Sequence, residues 1–474
     1  MKNKKEGLTA GQLTMMALGT VIGGSFFLGS AVAIQAAGPS IILSYIICGV
    51  MVYFILFALS EMTVSNPDSG SFRTFASQYI SDGTGFVVGW VYWTGMVIAM
   101  SSEATAVSLL VKTWFPSISI SILGTIIIIG VTLLNLLGAN QLSRLEGILA
   151  TIKIFAILVF IMLGFIITVG ISNYRSVGSS VFQSQAFFSG GIKGLAGSML
   201  IVLFTYAGFE IIGLAASETK NKQKTVPKAI HLTVFALVAL YFLSITILIF
   251  LVPTSTLSED VSPFVTALNY YHITWASTAM NIILISAILS TMVAAMFGIG
   301  RMLRSLVEGE LAPEFLKDKT DVPYRGILFS GLAMLLSLFI GLIFPRVYLF
   351  LISSGGFAIL FTYIVLMITH IRFRKVHGKP EGKCSLCGFP YSSLFTLLGL
   401  IVALFSMLFI KGQTSGFFAG ISLVAFFSIC YGIVKIVHKG KLNKGIPYES
   451  KKIDNRQFLT EFSEENHDLT KKKK

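Results

Sequence analysis

The sequence predicts an all-α membrane protein of twelve transmembrane helices, and three observations carry that prediction. Of its 474 residues, 54% are hydrophobic and only 12% charged, with a mean hydropathy of +0.81, whereas about a quarter of the residues in a soluble domain carry charge. Apolar stretches long enough to cross about 30 Å of hydrocarbon recur along the whole chain. The basic residues between them sort to one side. With both termini cytoplasmic, 31 of the 36 Lys and Arg residues fall inside and only Lys112, Arg175, Lys193, Arg346 and Lys411 fall outside, which is the asymmetry the positive-inside rule describes.

The spans are expected at 14–37, 40–65, 84–110, 119–139, 146–170 and 191–217, then at 228–252, 275–304, 326–344, 347–371, 391–411 and 416–437. Residues 1–13 form a cytoplasmic N-terminal tail, and 439–474, polar and ending in four lysines, a disordered cytoplasmic one. Lys2, Lys4 and Lys5 ahead of an apolar run with Ala31-Val32-Ala33 resemble a secretory signal. That run is too long for one and is broken by Gly23-Gly24. Pro227 and Pro313 mark helix starts after cytoplasmic loops. No loop is large enough for a separate soluble domain. The net charge of +14 is spread over short loops and tails with no base-binding motif, so nucleic acid is not a partner; membrane lipids are.

Four cysteines imply no disulfide framework, since Cys48 and Cys430 stand alone in apolar spans. Cys384-x-x-Cys387 with His377 upstream is a poor zinc set, and the stretch reads as a connector with two free thiols. No metal site, phosphate-cradling loop or zinc-protease motif is present in the sequence. The chain is expected not to be an enzyme, and no cofactor or obligatory protein partner is implied.

The first span is interrupted midway by Gly23-Gly24-Ser25. Weak helix propensity there either frees backbone N–H and C=O groups toward a cavity or, through Gly19 and Gly23, makes a small-residue packing face. The sixth span repeats the feature in Phe204-Thr205-Tyr206-Ala207-Gly208-Phe209-Glu210. Two interrupted spans with four between them are what a five-plus-five inverted repeat produces, with 14–170 and 191–371 as the repeats and 391–437 as accessory helices.

These two spans, the exit Ser217-Glu218-Thr219-Lys220-Asn221 with Val226-Pro227-Lys228-Ala229-Ile230, and Gly300-Arg301-Met302-Leu303-Arg304-Ser305-Leu306 with Ala312-Pro313 resemble the amino acid–polyamine–organocation (APC) superfamily. Within it the chain looks most like the twelve-span bacterial amino acid permeases, over about residues 8 to 438. The resemblance implies a LeuT-like fold with discontinuous helices 1 and 6. It also implies a multi-pass location in the bacterial plasma membrane and an amino acid as solute.

The N–H groups of Gly23, Gly24 and Ser25 begin a half-helix whose dipole suits a substrate carboxylate. Carbonyls from Thr20 to Ile22, with those of Phe204, Thr205 and Ala207 beside Gly208, suit a substrate ammonium. The resemblance places Phe204 as the aromatic that covers the solute; the plain alternative is a core aromatic. Lys153, in the fifth span, either snorkels to the interface or is buried and exchanges a proton. In proton-coupled relatives a lysine here occupies the place of a sodium ion, so the resemblance implies a proton as the coupling ion.

Glu103, deep in the third span, carries a proton, orients the site or is a hydrogen-bonded structural acid. Glu210 caps the second half-helix or lines the pathway. Glu61 and Glu146 read as interfacial. Ser286, Ser290 and Thr291 with Ser353 and Ser354 are expected mostly to bond back to their own helices. The expected function is import of an amino acid by proton symport with alternating access. An obligate exchanger, a sodium symporter and a transporter-like nutrient sensor are the alternatives.

Overall fold

The computed structural model describes residues 8–65, 72–137, 139–169, 186–214, 219, 221–317, 323–380, 384–410 and 412–442. Outside them lie the first seven residues and the tail beyond Leu442, together with Arg175, Ser217, Glu218, Lys220 and Lys411. Among the described residues the regular structure is helical, with one isolated bridge between Leu8 and Thr219.

Among the described residues, nine helices are long and apolar enough to cross a membrane. The three other expected spans are shorter or broken, for separate reasons. The fourth, α7 (Ile120–Asn135), has 16 residues and so reaches only about 24 Å. The first is divided into α1 (Ala10–Val21), α2 (Gly24–Phe27) and α3 (Gly29–Ala37). The sixth is divided into α9 (Gly191–Thr205) and α10 (Ile211–Leu214). The remaining spans are α4 (Ile41–Ser65), α6 (Asp82–Lys112), α8 (Ala139–Val169), α11 (Lys222–Leu251), α13 (Thr274–Glu308), α14 (Tyr324–Gly341), α15 (Val347–His377), α16 (Tyr391–Ser406) and α17 (Thr414–Leu442). Two short helices that hydropathy does not reveal, α5 (Phe72–Tyr79) and α12 (Pro263–Tyr270), follow the second and seventh spans.

Several boundaries differ from expectation. Helix α11 begins at Lys222, so Pro227 lies inside it. That is early enough to disturb only the first turns. Pro313 precedes a single 3-10 turn at Glu314–Leu316, and the next long helix starts at Tyr324. Helix α8 starts at Ala139, which puts Lys153 about 21 Å along it rather than near its end.

Packing divides the helices into two groups. Helices α1, α3, α4, α9 and α11 pack on one another, and α6, the centre of the second group, packs against α7, α13, α14 and α15. Helix α8 lies against α1, α11 and α13. Lipid-facing apolar side chains stay exposed on α7, α8, α14 and α17, as expected where the solvent is itself apolar.

Glu61, expected to be interfacial, has partners that the sequence does not reveal. It is fully buried at the end of α4 and pairs with Arg374 of α15, whose Nη2 donates to Oε2 at 2.9 Å. The Leu386 N–H donates to the same oxygen at 2.6 Å, and His370 Nε2 lies 3.3 Å from Oε1. Arg374 also donates to the Leu386 carbonyl and sits 5.2 Å from the centre of the Phe389 ring. The cluster therefore ties α4, α15 and the connector 384–389 together. Burial also pushes the Cys384 thiol in that connector up to about 12, which leaves it almost wholly protonated near neutral pH. Removing one partner of a buried ion pair strands the other, at about 3–5 kcal/mol. Arg374→Ala is therefore expected to lower the melting temperature of the detergent-solubilised protein strongly, and the pair Glu61→Leu with Arg374→Leu to recover part of the loss. An R374A protein that melts like the parent contradicts this account.

Candidate functional site

At the first break the chain leaves α1 through Ile22 and Gly23, both extended, and re-enters a helix at Gly24. A half-helix that begins inside the membrane presents N–H groups that no preceding turn can accept. Here the side chain of Glu103 from α6 takes two of them. Gly24 N–H donates to Oε2 at 2.8 Å and Ser25 N–H to Oε1 at 3.1 Å. The N–H groups of Phe26 and Phe27 fold back onto the Gly23 carbonyl. Glycine at 24 is required by this approach, because a Cβ there would lie 2.5 Å from Glu103 Oε2.

The opposite end of the break is capped with the opposite charge. Lys153 is buried, not snorkelling, and its Nζ donates to the Gly19 carbonyl in the last turn of α1 at 2.9 Å. A cation at a helix C-terminus and an anion at the next N-terminus both run with the peptide dipoles. Glu103 and Lys153 thus belong to α6 and α8 and act on the two ends of one interrupted span.

The second break faces the first. Thr20 Oγ1 donates to the Gly208 carbonyl at 3.2 Å. Gly208 has φ +105°, a conformation L side chains avoid, and a Cβ on it would stand 3.0 Å from the Thr20 carbonyl oxygen. Glu210 stands directly before α10. Its Oε2 accepts from the Gly208 N–H at 2.8 Å, and its Oε1 accepts from the hydroxyls of Tyr92 on α6, at 3.3 Å, and Tyr363 on α15, at 3.2 Å.

Of the carbonyls expected to be free in the sixth span, two are engaged within the protein. The Phe204 carbonyl accepts from Ala207 N–H at 3.1 Å, and that of Thr205 accepts from the Tyr241 hydroxyl at 3.1 Å. The carbonyls of Thr20 to Ile22 lie at the end of α1, where no following helical turn supplies a donor. Phe204 itself is buried in the last turn of α9. On the α3 side, the site is closed by Phe26 stacked on Tyr241 at 3.9 Å and packed against Phe264, and by Tyr348, whose hydroxyl donates to the Gly24 carbonyl. On the α1 side Thr20, Ala207 and Gly208 remain half-buried.

The residues singled out by sequence are therefore brought together: Thr20 with Gly208, Gly24 and Ser25 with Glu103, Lys153 with Gly19. Gly23 abuts Thr291 of α13, where an added Cβ would stand 3.0 Å from Oγ1. Ser286, Thr291 and Ser354 bond back to Ile283, Ala287 and Phe350 of their own helices, as expected, whereas Ser290 and Ser353 are buried without a hydrogen-bond partner among the described residues. The side chain of Glu146 lies outside the described residues. Sequence reasoning missed Tyr92, Tyr241, Tyr348 and Tyr363. Their signal was a hydroxyl-bearing aromatic within an apolar span, which usually seeks a partner when buried. A cavity of about 410 Å³ beside Ser65, Gln78 and Gln223 lies at the far end of α4, away from both breaks.

A multi-span membrane protein whose two discontinuous helices meet at a polar, charge-capped site belongs to the class of solute carriers. The family model described as amino acid permease matches residues 12–445, and the chain belongs to that family. Among curated relatives, the gamma-aminobutyric acid permease of Bacillus subtilis is 33% identical over 439 residues, covering 89% of this chain and 93% of that protein. An uncharacterized amino acid permease of the same organism, YvbW, is 33% identical over 413 residues, covering 85% and 92%. The probable threonine/serine transporter YbxG, also of Bacillus subtilis, is 31% identical over 454 residues, covering 93% and 97%. The family is one of permeases, not of enzymes.

The contact at Gly24 gives a direct test of this geometry. Gly24→Ala forces the Glu103 carboxylate off the half-helix, and losing hydrogen bonds to a charged group costs about 1.5–3 kcal/mol each. Gly11, where an added Cβ meets nothing within 4 Å, is the control. G24A is expected to melt several degrees below the parent and G11A close to it; equal melting of the three proteins would contradict the assigned contact.

Proposed function

We propose that the protein imports an amino acid across the bacterial plasma membrane by proton symport with alternating access. The observation that carries the reading is the buried Lys153 ammonium on the Gly19 carbonyl. A charged lysine holds the end of α1 against α8. Loss of its proton removes the charge from that bond and loosens α1, so protonation and the position of α1 become linked.

The substrate zwitterion binds between the breaks. Its carboxylate takes the N–H groups at Gly24 and Ser25, and its ammonium the carbonyls of Thr20 to Ile22 and Ala207, with Phe204 covering it. A LeuT-like inverted repeat, spans 1–5 against 6–10, is supported by breaks at the same place in each half and by α5 and α12, which follow the second and seventh spans alike. The two packing groups, α1–α4–α9–α11 and the helices around α6, supply a bundle to rock and a scaffold to rock against. The half-buried Thr20, Ala207 and Gly208 on the α1 side fit a site open inward, with both termini cytoplasmic. Relatives named for gamma-aminobutyric acid and for threonine and serine set a starting panel of solutes.

The test is uptake into proteoliposomes loaded without amino acid. An imposed pH gradient, acid outside, is expected to drive accumulation of at least one labelled amino acid, and Lys153→Ala to abolish the pH-driven component by tenfold or more. Flux only with internal amino acid would make the protein an exchanger, sodium dependence a sodium symporter, and binding without flux a sensor. Unchanged pH dependence in K153A would remove Lys153 from the coupling.

A further inference from the structure

Two of the three N–H groups expected to suit a substrate carboxylate, those of Gly24 and Ser25, are already occupied by one. Glu103 grips Gly24 and Ser25 through both oxygens, at 2.8 and 3.1 Å, in the two-point fashion in which a free amino acid's carboxylate would be held. Each N–H has one proton to give, and those of Phe26 and Phe27 are committed to the Gly23 carbonyl. A second carboxylate cannot take the N–H groups of Gly24 and Ser25 while Glu103 stays on them. We propose that Glu103 is an internal stand-in for the substrate carboxylate: it holds the outer half of the first span in the unloaded protein and is displaced, with uptake of one proton, when the amino acid binds.

This deepens the transport reading and rests on it. The proton follows from the surroundings. Lys153 on α8 is the one cation that acts on Glu103 among the described residues, and its ammonium is held by Gly19. Tyr241 on α11 and Tyr348 on α15 lie within electrostatic reach of the carboxylate, with their hydroxyls committed to the Thr205 and Gly24 carbonyls. From α13 the neighbours of Gly24 and Gly23 are Ile288 and Thr291, the latter bonded to Ala287.

A carboxylate pushed off the amides therefore meets an apolar, committed wall and an incoming negative charge, and two such anions at close range do not both stay ionised. The balance is simple. Glu103 carboxylate, one proton from the water on the open side and a zwitterion become Glu103 carboxylic acid with the substrate carboxylate on the amides. The loaded site gains one positive charge, and the proton is carried with the substrate.

The experiment is calorimetry on the purified protein at pH 7.5 in buffers of different ionisation heat, which counts protons taken up per ligand bound. The common amino acids and gamma-aminobutyric acid are titrated, then the amine that lacks the carboxylate of whichever binds. The parent protein is expected to take up about one proton with the amino acid and none with the amine. Glu103→Gln is expected to bind the amino acid with no uptake and with affinity unchanged between pH 5.5 and 8, while the parent weakens up to tenfold per pH unit at the alkaline end.

An infrared difference band of a protonated carboxylic acid is expected on adding the amino acid to the parent protein, which keeps the test open if E103Q does not fold. Amino acid binding without proton uptake and without that band, or equal uptake with the amine, overturns the proposal alone. Binding of no amino acid at any pH overturns the transport reading and the proposal with it.

Discussion

A helix interrupted inside a bilayer must satisfy the backbone groups it releases, because lipid offers no hydrogen bonds and each unpaired group costs several kcal/mol. In this protein the solution at the first span is ionic. Glu103 takes the N–H groups that open α2, and Lys153 takes a carbonyl that closes α1. Each charge lies on a helix outside the interrupted span, so the break is held from two directions by α6 and α8. The positions of α13 and α15 follow from the same requirement, since Thr291 abuts Gly23 and the Tyr348 hydroxyl reaches the Gly24 carbonyl.

The sixth span meets the same constraint by other means. Its released groups are taken by Glu210 two residues from Gly208, by Tyr241 and by Thr20 across the gap. Glu210 in turn is held by Tyr92 and Tyr363, hydroxyl donors from the scaffold around α6 and α15. Each break therefore has a buried carboxyl group on its N–H groups, Glu103 with Lys153 at the opposite end of the first and Glu210 with two tyrosine hydroxyls at the second. Far from both, the buried Glu61–Arg374 pair with His370 fixes α4 to α15 and to the connector after it, so motion at the site does not require that end of the fold to loosen.

Nine spans among the described residues were legible because burial in lipid imposes both length and hydropathy, and Gly23-Gly24-Ser25 was legible because glycine suits a break with a close neighbour. The identity of that neighbour was not. Glu103 was visible as a deep acid, but helical periodicity does not say which of several adjoining helices it faces. The same limit hid the partner of Glu61: an acid near the end of one span does not tell that Arg374, near the end of another, meets it. The Thr205 carbonyl read as free because the hydroxyl that takes it, Tyr241, comes from a different helix. The short helices α5 and α12 went unseen because neither is apolar or long enough to register as a span.

Membership of the amino acid permease family and a site with matched charges at both helix ends lead to one central claim: the protein keeps its own carboxylate where the substrate's will go. A cryo-EM structure of the protein in nanodiscs, with a bound amino acid at saturating concentration, tests it most directly. The account predicts the ligand carboxylate on the N–H groups of Gly24 and Ser25 and the Glu103 side chain rotated away from them. A ligand bound elsewhere, with Glu103 still on both N–H groups, would contradict it.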